Sequence, residues 1–278
     1  MTNDAMRTQW NEASGPEWVA LEQQFDQMLT PIGKELLRRA AARPGEHVLD
    51  VGCGFGSTTL ALAAAVGPDG RVMGLDISAP LLRRAHERAH EAGVHNIIWD
   101  EADAQEAKLP TDHFDLVTSR FGVMFFEQPV VAFHNFFAAT KPGGRLCFAC
   151  WQSSDRNPWY TFASQMLAAH IELPPPPFAS GPGPFAFGDR ARLAAILTTA
   201  GFTDVTIDTF MPMLVMGGDR DDALDFMVHG PIRAALDAAP AEARDAGIAA
   251  ARAGLRERSV DREVRFPAAV WMVSARRP

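Results

Sequence analysis

The sequence predicts a doubly wound α/β fold: a mostly parallel sheet of seven strands, the last one antiparallel. Three observations carry that expectation. Short apolar runs alternate with helical patterns from His47 to Trp151. The first run passes into a glycine turn, Asp50–Val51–Gly52–Cys53–Gly54–Phe55–Gly56, that opens a helix. The second run ends in a carboxylate, Asp76, about twenty residues further on.

The elements follow in order. The first 43 residues read as helical, with Leu21, Phe25, Met28 and Leu29, then Ile32, Leu36, Leu37 and Ala40 at helical spacing. A break is expected near Thr30–Pro31, because proline removes a helical donor. His47–Val51 is a buried strand and Ser57–Val66 a helix, closed by the turn Gly67–Gly70. Arg71–Asp76 is a strand and Ala79–Ala92 a helix, with Gly93 past its end. Asn96–Glu101 and Phe114–Ser119 are strands, Pro129–Thr140 a helix, Lys141–Gly144 a turn and Arg145–Trp151 a strand. Beyond Trp151 the pattern loosens. Pro158–Leu173 reads as a helix, Pro174–Pro177 as a proline run and Phe178–Gly188 as a loop or lid. Asp189–Ala200 is a helix, Thr203–Phe210 a strand, Asp219–Arg258 a helical insertion and Val264–Ala275 the final strand. The expected organisation is one domain, 1–278. An N-terminal helical lid (1–43) precedes a cofactor-binding core (44–152), and substrate-side elements (153–278) follow.

Composition narrows the function. A net charge of −8 without a Lys/Arg cluster argues against nucleic acid as a partner. No stretch approaches the roughly 18–20 apolar residues of a membrane helix, and Met1–Gln9 lacks an apolar signal core. A cytoplasmic location is expected. The three cysteines fit a reducing compartment. Cys147 and Cys150 form a C-x-x-C within a strand, and residues three apart on a strand face opposite sides, so redox or metal chemistry is discounted.

The glycine turn discriminates between nucleotide cofactors. Its spacing is Gly52-x-Gly54-x-Gly56 rather than the G-x-G-x-x-G that suits a pyrophosphate. Asp50 would repel a diphosphate but would tolerate a sulfonium with an amino-acid tail. Asp76 stands where a carboxylate accepts ribose hydroxyls.

With Asp50–Gly56, the stretches Gly74–Ser78, Glu101–Ala104, Phe114–Arg120 and Lys141–Arg145 resemble the successive motifs of class I S-adenosylmethionine-dependent methyltransferases. They are most similar to the branch containing the ubiquinone and menaquinone C-methyltransferases. The resemblance covers Arg43–Trp151 and implies a Rossmann-like fold. It also implies S-adenosyl-L-methionine as cofactor, S-adenosyl-L-homocysteine as product and no metal. By the same likeness Gly52, Cys53 and Gly54 would lie against the methionine part. Asp76 would take the ribose, Ile77 would pack on the adenine, and Asp103 and the Ala104 amide would read its edge. Ser119 would line the methionine pocket. Arg120, Phe121 and Met124 would face the substrate, with Trp151 and Tyr160 as further substrate-side candidates. Trp10, Trp18 and Phe25 look like a lid.

Aromatic residues around the strand ends suggest a small, hydrophobic or aromatic acceptor such as a quinone, phenol or natural product. No residue is marked as a base. Tyr160, His134, His170, His229 and Glu127 are candidates by chemistry alone. His86–Glu87–Arg88–Ala89–His90 matches the zinc pattern H-E-x-x-H, yet Leu81, Leu82, Ala85 and Ala89 form a packing stripe that turns both histidines outward. A non-catalytic S-adenosylmethionine-binding protein and a nicotinamide-dependent oxidoreductase are the competing readings. The sequence leaves oligomeric state open, a homodimer included. It also leaves open whether the methyl goes to O, N, C or S.

Overall fold

The computed structural model describes residues 3–175 and 181–278. The chain opens with α1 (Asp4–Thr8), a π-helical turn (Gln9–Ala13), α2 (Ser14–Ala20) and the long helix α3 (Glu22–Ala40). Helix α3 continues through Pro31, where the sequence predicts a break. An internal proline costs about 3 kcal/mol in an isolated helix. Phe25, Met28, Leu29, Ile32 and Leu36 are buried along one stripe, and each such side chain returns about 1.5–3 kcal/mol. Packing therefore overrides the local signal.

The alternating core is β1 (His47–Val51), α4 (Ser57–Val66), β2 (Arg71–Asp76), α5 (Ala79–Glu91), β3 (Ile97–Glu101), β4 (Phe114–Arg120), α6 (Pro129–Ala139) and β5 (Thr140–Trp151). Then come α7 (Pro158–Leu167), α8 (Arg190–Thr199), β6 (Thr203–Phe210), β7 (Met213–Gly217), α9 (Arg220–Met227), α10 (Gly230–Ala238), α11 (Ala241–Gly254), β8 (Ser259–Val260), β9 (Glu263–Pro267) and β10 (Val270–Arg276). The main sheet has seven strands in the order β3-β2-β1-β4-β5-β10-β6. Strands β1 to β5 pair in parallel, and β10 is antiparallel to both β5 and β6. The chain reverses its direction of winding between β1 and β4. In such sheets ligands bind in the crevice at the strand ends beside that reversal.

Three expectations are corrected. Val264–Ala275 is two strands, not one. β9 joins β7 and β8 in a separate three-stranded sheet, and β10 enters the main one. The corner follows Pro267, which has no N–H to continue the ladder. Buried Asn157 fixes it, accepting from the Ala269 N–H at 3.0 Å and donating to the Ala269 carbonyl at 3.2 Å. The predicted helix Pro158–Leu173 ends at Leu167, where Ile171 N–H turns back to the Leu167 carbonyl. Leu173 precedes a proline, a position that disfavours helix. Finally, β5 begins at Thr140, so Lys141–Gly144 forms an irregularity at the start of the strand rather than a separate turn. The insertion Asp219–Arg258 resolves into α9, α10, α11 and a short 3-10 turn. Of the predicted proline run and loop, residues 176–180, Phe178 among them, lie outside the described residues.

Among the described residues no helix is long and apolar enough to cross a membrane. Cys147 and Cys150 sit in two different hydrophobic cores, on opposite faces of the sheet. Both are free thiols, which agrees with the strand geometry read from their spacing.

Candidate functional site

The glycine turn is built by backbone bonds to the neighbouring strand. The Gly52 and Cys53 amides both donate to the Leu75 carbonyl, and Gly56 N–H closes the turn on the Cys53 carbonyl. Gly52 adopts φ +63, and a Cβ there would stand 2.5 Å from the Gly122 Cα. The ends of β1 and β4 thus meet backbone to backbone. Ser119 holds them in place: its hydroxyl donates to the Val51 carbonyl at 2.7 Å and accepts from Gly122 N–H at 3.1 Å. Phe121, just beyond, has φ +68. A bulky residue in the left-handed region is strained. The turn aims its ring at Trp151, stacked at 4.1 Å.

Two aspartates occupy the strand ends. Asp76 accepts from the Gly54 amide at 2.7 Å and from the Ser78 amide at 2.9 Å. Burial raises its pKa against the lowering effect of those amides. A carboxylate has about four lone-pair sites, so it can accept further bonds. Asp50 is 1% exposed. One of its oxygens accepts from Thr59 at 2.7 Å; the other has no partner, and neither does the Thr118 hydroxyl beside it in the β1–β4 register. Burial pushes the Asp50 carboxyl up to about 7, opposed by the Thr59 bond and by the Arg120 charge. Arg120 lies over Gly33 of α3, with Asp26 and Asp50 acting on it electrostatically. Its guanidinium makes no hydrogen bond or ion pair among the described residues.

A single cavity of about 610 Å3 joins these parts, within the range usual for small-molecule sites, about 300–1,000 Å3. At one end stand Gly52, Gly54, Asp76, Ile77, Asp103 and Ala104. At the other stand Phe121, Met124, Trp151, Trp159 and Tyr160; Arg120 lines it too, and its charge acts on Asp50, which is buried behind the lining and does not itself line the cavity. Cys53 and Ser119 do not line it: Cys53 packs inward against Gly74, and Ser119 braces Gly122. The aromatic wall is continuous, with Trp151 against Trp159 at 4.8 Å, and Tyr160 against Phe185 at 4.8 Å. Burial raises the Tyr160 phenol.

The N-terminal segment closes the opposite side. Trp10, Trp18 and Phe25 line the cavity, and Trp18 stacks on Phe25 at 3.9 Å. The π turn fastens the segment to the site. Asn11 donates to the Ile77 carbonyl at 2.9 Å and accepts from the Ala79 amide at 2.9 Å. Ser78 donates to the Trp10 carbonyl at 2.8 Å. Sequence reasoning missed Asn11, whose role appears only once the π turn places it against α5.

Of the base candidates, Tyr160 and His229 line the cavity, while His134, His170 and Glu127 do not. His86 and His90 lie on the exposed face of α5. No group of three or more potential metal ligands gathers among the described residues. A second hollow of about 790 Å3, bounded by Arg220, Arg252, Arg256 and Arg262, opens on the surface and shares no residue with the glycine turn.

The methyltransferase-domain family matches residues 48–144. The chain is 29% identical over 187 residues to the demethylmenaquinone methyltransferase of Geobacillus stearothermophilus, covering 64% of this chain and 79% of that protein. It is 34% identical over 122 residues to the aklanonic acid methyltransferase of Streptomyces sp. (strain C5), covering 44% of this chain and 56% of that protein, little more than half its length. Haemonchus contortus phosphoethanolamine N-methyltransferase 2, solved in complex with S-adenosyl-L-methionine, shares the fold at a TM-score of 0.61 and 17% identity, over 100% of this chain and 60% of that one.

Proposed function

From the premise that this chain is a class I S-adenosylmethionine-dependent methyltransferase, we propose that it methylates a small, flat, largely apolar aromatic or quinoid metabolite. The observation that carries this reading is the single cavity, polar at the glycine turn and walled by stacked aromatics at the other end. The relatives named above are, by their names, methyltransferases of demethylmenaquinone and of aklanonic acid, and the first of these supports the same class.

The residues at the polar end fit the cofactor. The unpartnered Asp50 oxygen suits the methionine ammonium, and the Arg120 guanidinium suits the carboxylate, which would move Arg120 from the substrate side to the cofactor side. Asp76 has lone pairs left for ribose hydroxyls, and Asp103, whose side chain accepts from the Gln105 amide, has lone pairs for the adenine amino group. The cofactor supplies an already activated methyl group, so the chain contributes alignment and a dry cleft.

The screen that tests the reading offers labelled cofactor to hydroquinones, phenols, amines and thiols. Label on ring-bearing hydroxyl compounds is expected; label confined to aliphatic amines or thiols would overturn it.

Asp50 also gives the site a pH signature. The apo carboxyl is protonated below about pH 7, and an ammonium neighbour favours the ionised form, so binding expels a proton. Cofactor affinity should rise between about pH 5 and 7, by at most tenfold per unit, and level off above. Calorimetry in buffers of different ionisation enthalpy counts that proton at pH 6. Asp50→Asn should abolish both proton and slope; an unchanged slope in the variant would remove Asp50 from the ammonium site.

A further inference from the structure

Resting on the methyl-transfer reading, we propose that His229 is the general base of this enzyme and that the acceptor is therefore a weak oxygen acid, a phenol, hydroquinone or enol. His229 lies between α9 and α10 and lines the cavity. Its Nδ1 stands 2.6 Å from the Phe226 carbonyl. A carbonyl only accepts, so Nδ1 carries the hydrogen and the neutral ring keeps Nε2 as its acceptor. Nε2 has no partner among the described residues.

The ring is also held mechanically. It packs against Phe226 and, edge to face, against Phe25 of α3. The next residue is tied down too: Gly230 N–H donates to Glu17 of α2 at 2.5 Å. The N-terminal segment that covers the cleft thus bonds the backbone beside the base. The other titratable groups lining the cavity are Glu17, Asp76, Asp103, Arg120 and Tyr160. Asp76 holds backbone amides, and Glu17 holds Gly230. Tyr160, raised by burial, stays protonated and can only donate to a developing oxyanion. His229 alone combines a fixed tautomer with an open acceptor nitrogen. Outside the cavity, Arg233 of α10 pairs with Asp225 of α9 on the exposed side.

The step balances. Nε2 takes the hydroxyl proton, and the electron pair released makes the oxygen, or the ring carbon conjugated to it, the nucleophile. A bond forms from that atom to the methyl carbon. The carbon–sulfur bond breaks with its pair left on sulfur, and the imidazolium then loses its proton to solvent.

The test uses the full-length protein and ring-substituted phenols and hydroquinones spanning acceptor pKa from below to well above the assay pH. His229→Asn keeps a donor for the Phe226 carbonyl. It should lose about a hundredfold or more in kcat/KM on acceptors with high pKa, and less than about fivefold on those already ionised. The acidic limb of the wild-type pH profile should vanish with the weakly acidic acceptors, while cofactor affinity by calorimetry stays within about twofold. Equal losses on ionised and un-ionised acceptors would overturn the base and leave the acceptor class standing. Wild-type protein that binds the cofactor but methylates no member of the panel would overturn both.

Discussion

Gly52→Ala is expected to remove cofactor binding and to destabilise the fold. Two costs add. An alanine at φ +63 pays about 1–2 kcal/mol for the left-handed backbone. Its methyl would also stand 2.5 Å from the Gly122 Cα, a backbone atom that cannot rotate away. Overpacking of this kind costs about 1–3 kcal/mol more. A total near 3 kcal/mol lowers Tm by several degrees in a chain of this size, read by differential scanning calorimetry. Gly54→Ala is the informative contrast. Its φ is +57, but no atom lies within 4 Å of the added carbon. That variant should lose only about 1–2 kcal/mol from backbone strain, while its methyl, projecting from a cavity-lining residue, still weakens the cofactor. Equal stability losses in the two variants would mean that the Gly52–Gly122 approach carries no weight.

Asp76→Ala should weaken S-adenosylmethionine by at least tenfold. Two charge-assisted bonds to ribose, each worth about 1.5–3 kcal/mol, would take the loss to about a hundredfold or beyond. Asp76 also holds the Gly54 and Ser78 amides, so a collapsed turn must be told apart from a lost ribose contact. Calorimetry with fragments does so. Adenosine should lose affinity in parallel with the whole cofactor, whereas methionine should lose little. A loss on methionine as large as on adenosine would assign Asp76 to shaping the turn instead.

The parts of this molecule that local chemistry dictates were legible in the sequence. Strands β1, β2 and β4 are short apolar runs bounded by glycine or charge, and their ends fall within a residue of where the pattern puts them. Asp50, Asp76 and Asp103 are local signals as well, each at a strand end. What the sequence hid depends on partners distant in the chain. The stripe that carries α3 past Pro31 has meaning only against the sheet. β9 and β10 read as one run because the alternation of β9 carries on into Val270 and Met272 before it slips at Val273; the cue available was Pro267. β7, only five residues long, falls between the strand and the insertion read from the sequence and is missed. Arg120 could be placed beside Asp50 only once β4 was known to lie next to β1. His229 stands about seventy residues beyond Trp159 and Tyr160 of the aromatic wall, with no motif around it. Its role rests on a carbonyl three residues back and on the geometry of the cleft.

Cys53 has a consequence of another kind. A sulfonium methyl donor is an alkylating agent, and a thiolate is a nucleophile that readily attacks its methyl carbon. The proposed donor would sit against the very turn that contains this cysteine. Burial raises the Cys53 thiol well above its ordinary range, and the Asp76 and Asp50 charges push it further. The sulfur stays protonated and faces inward against Gly74. The same carboxylates that would draw in the cofactor thereby shield the enzyme from methylating itself.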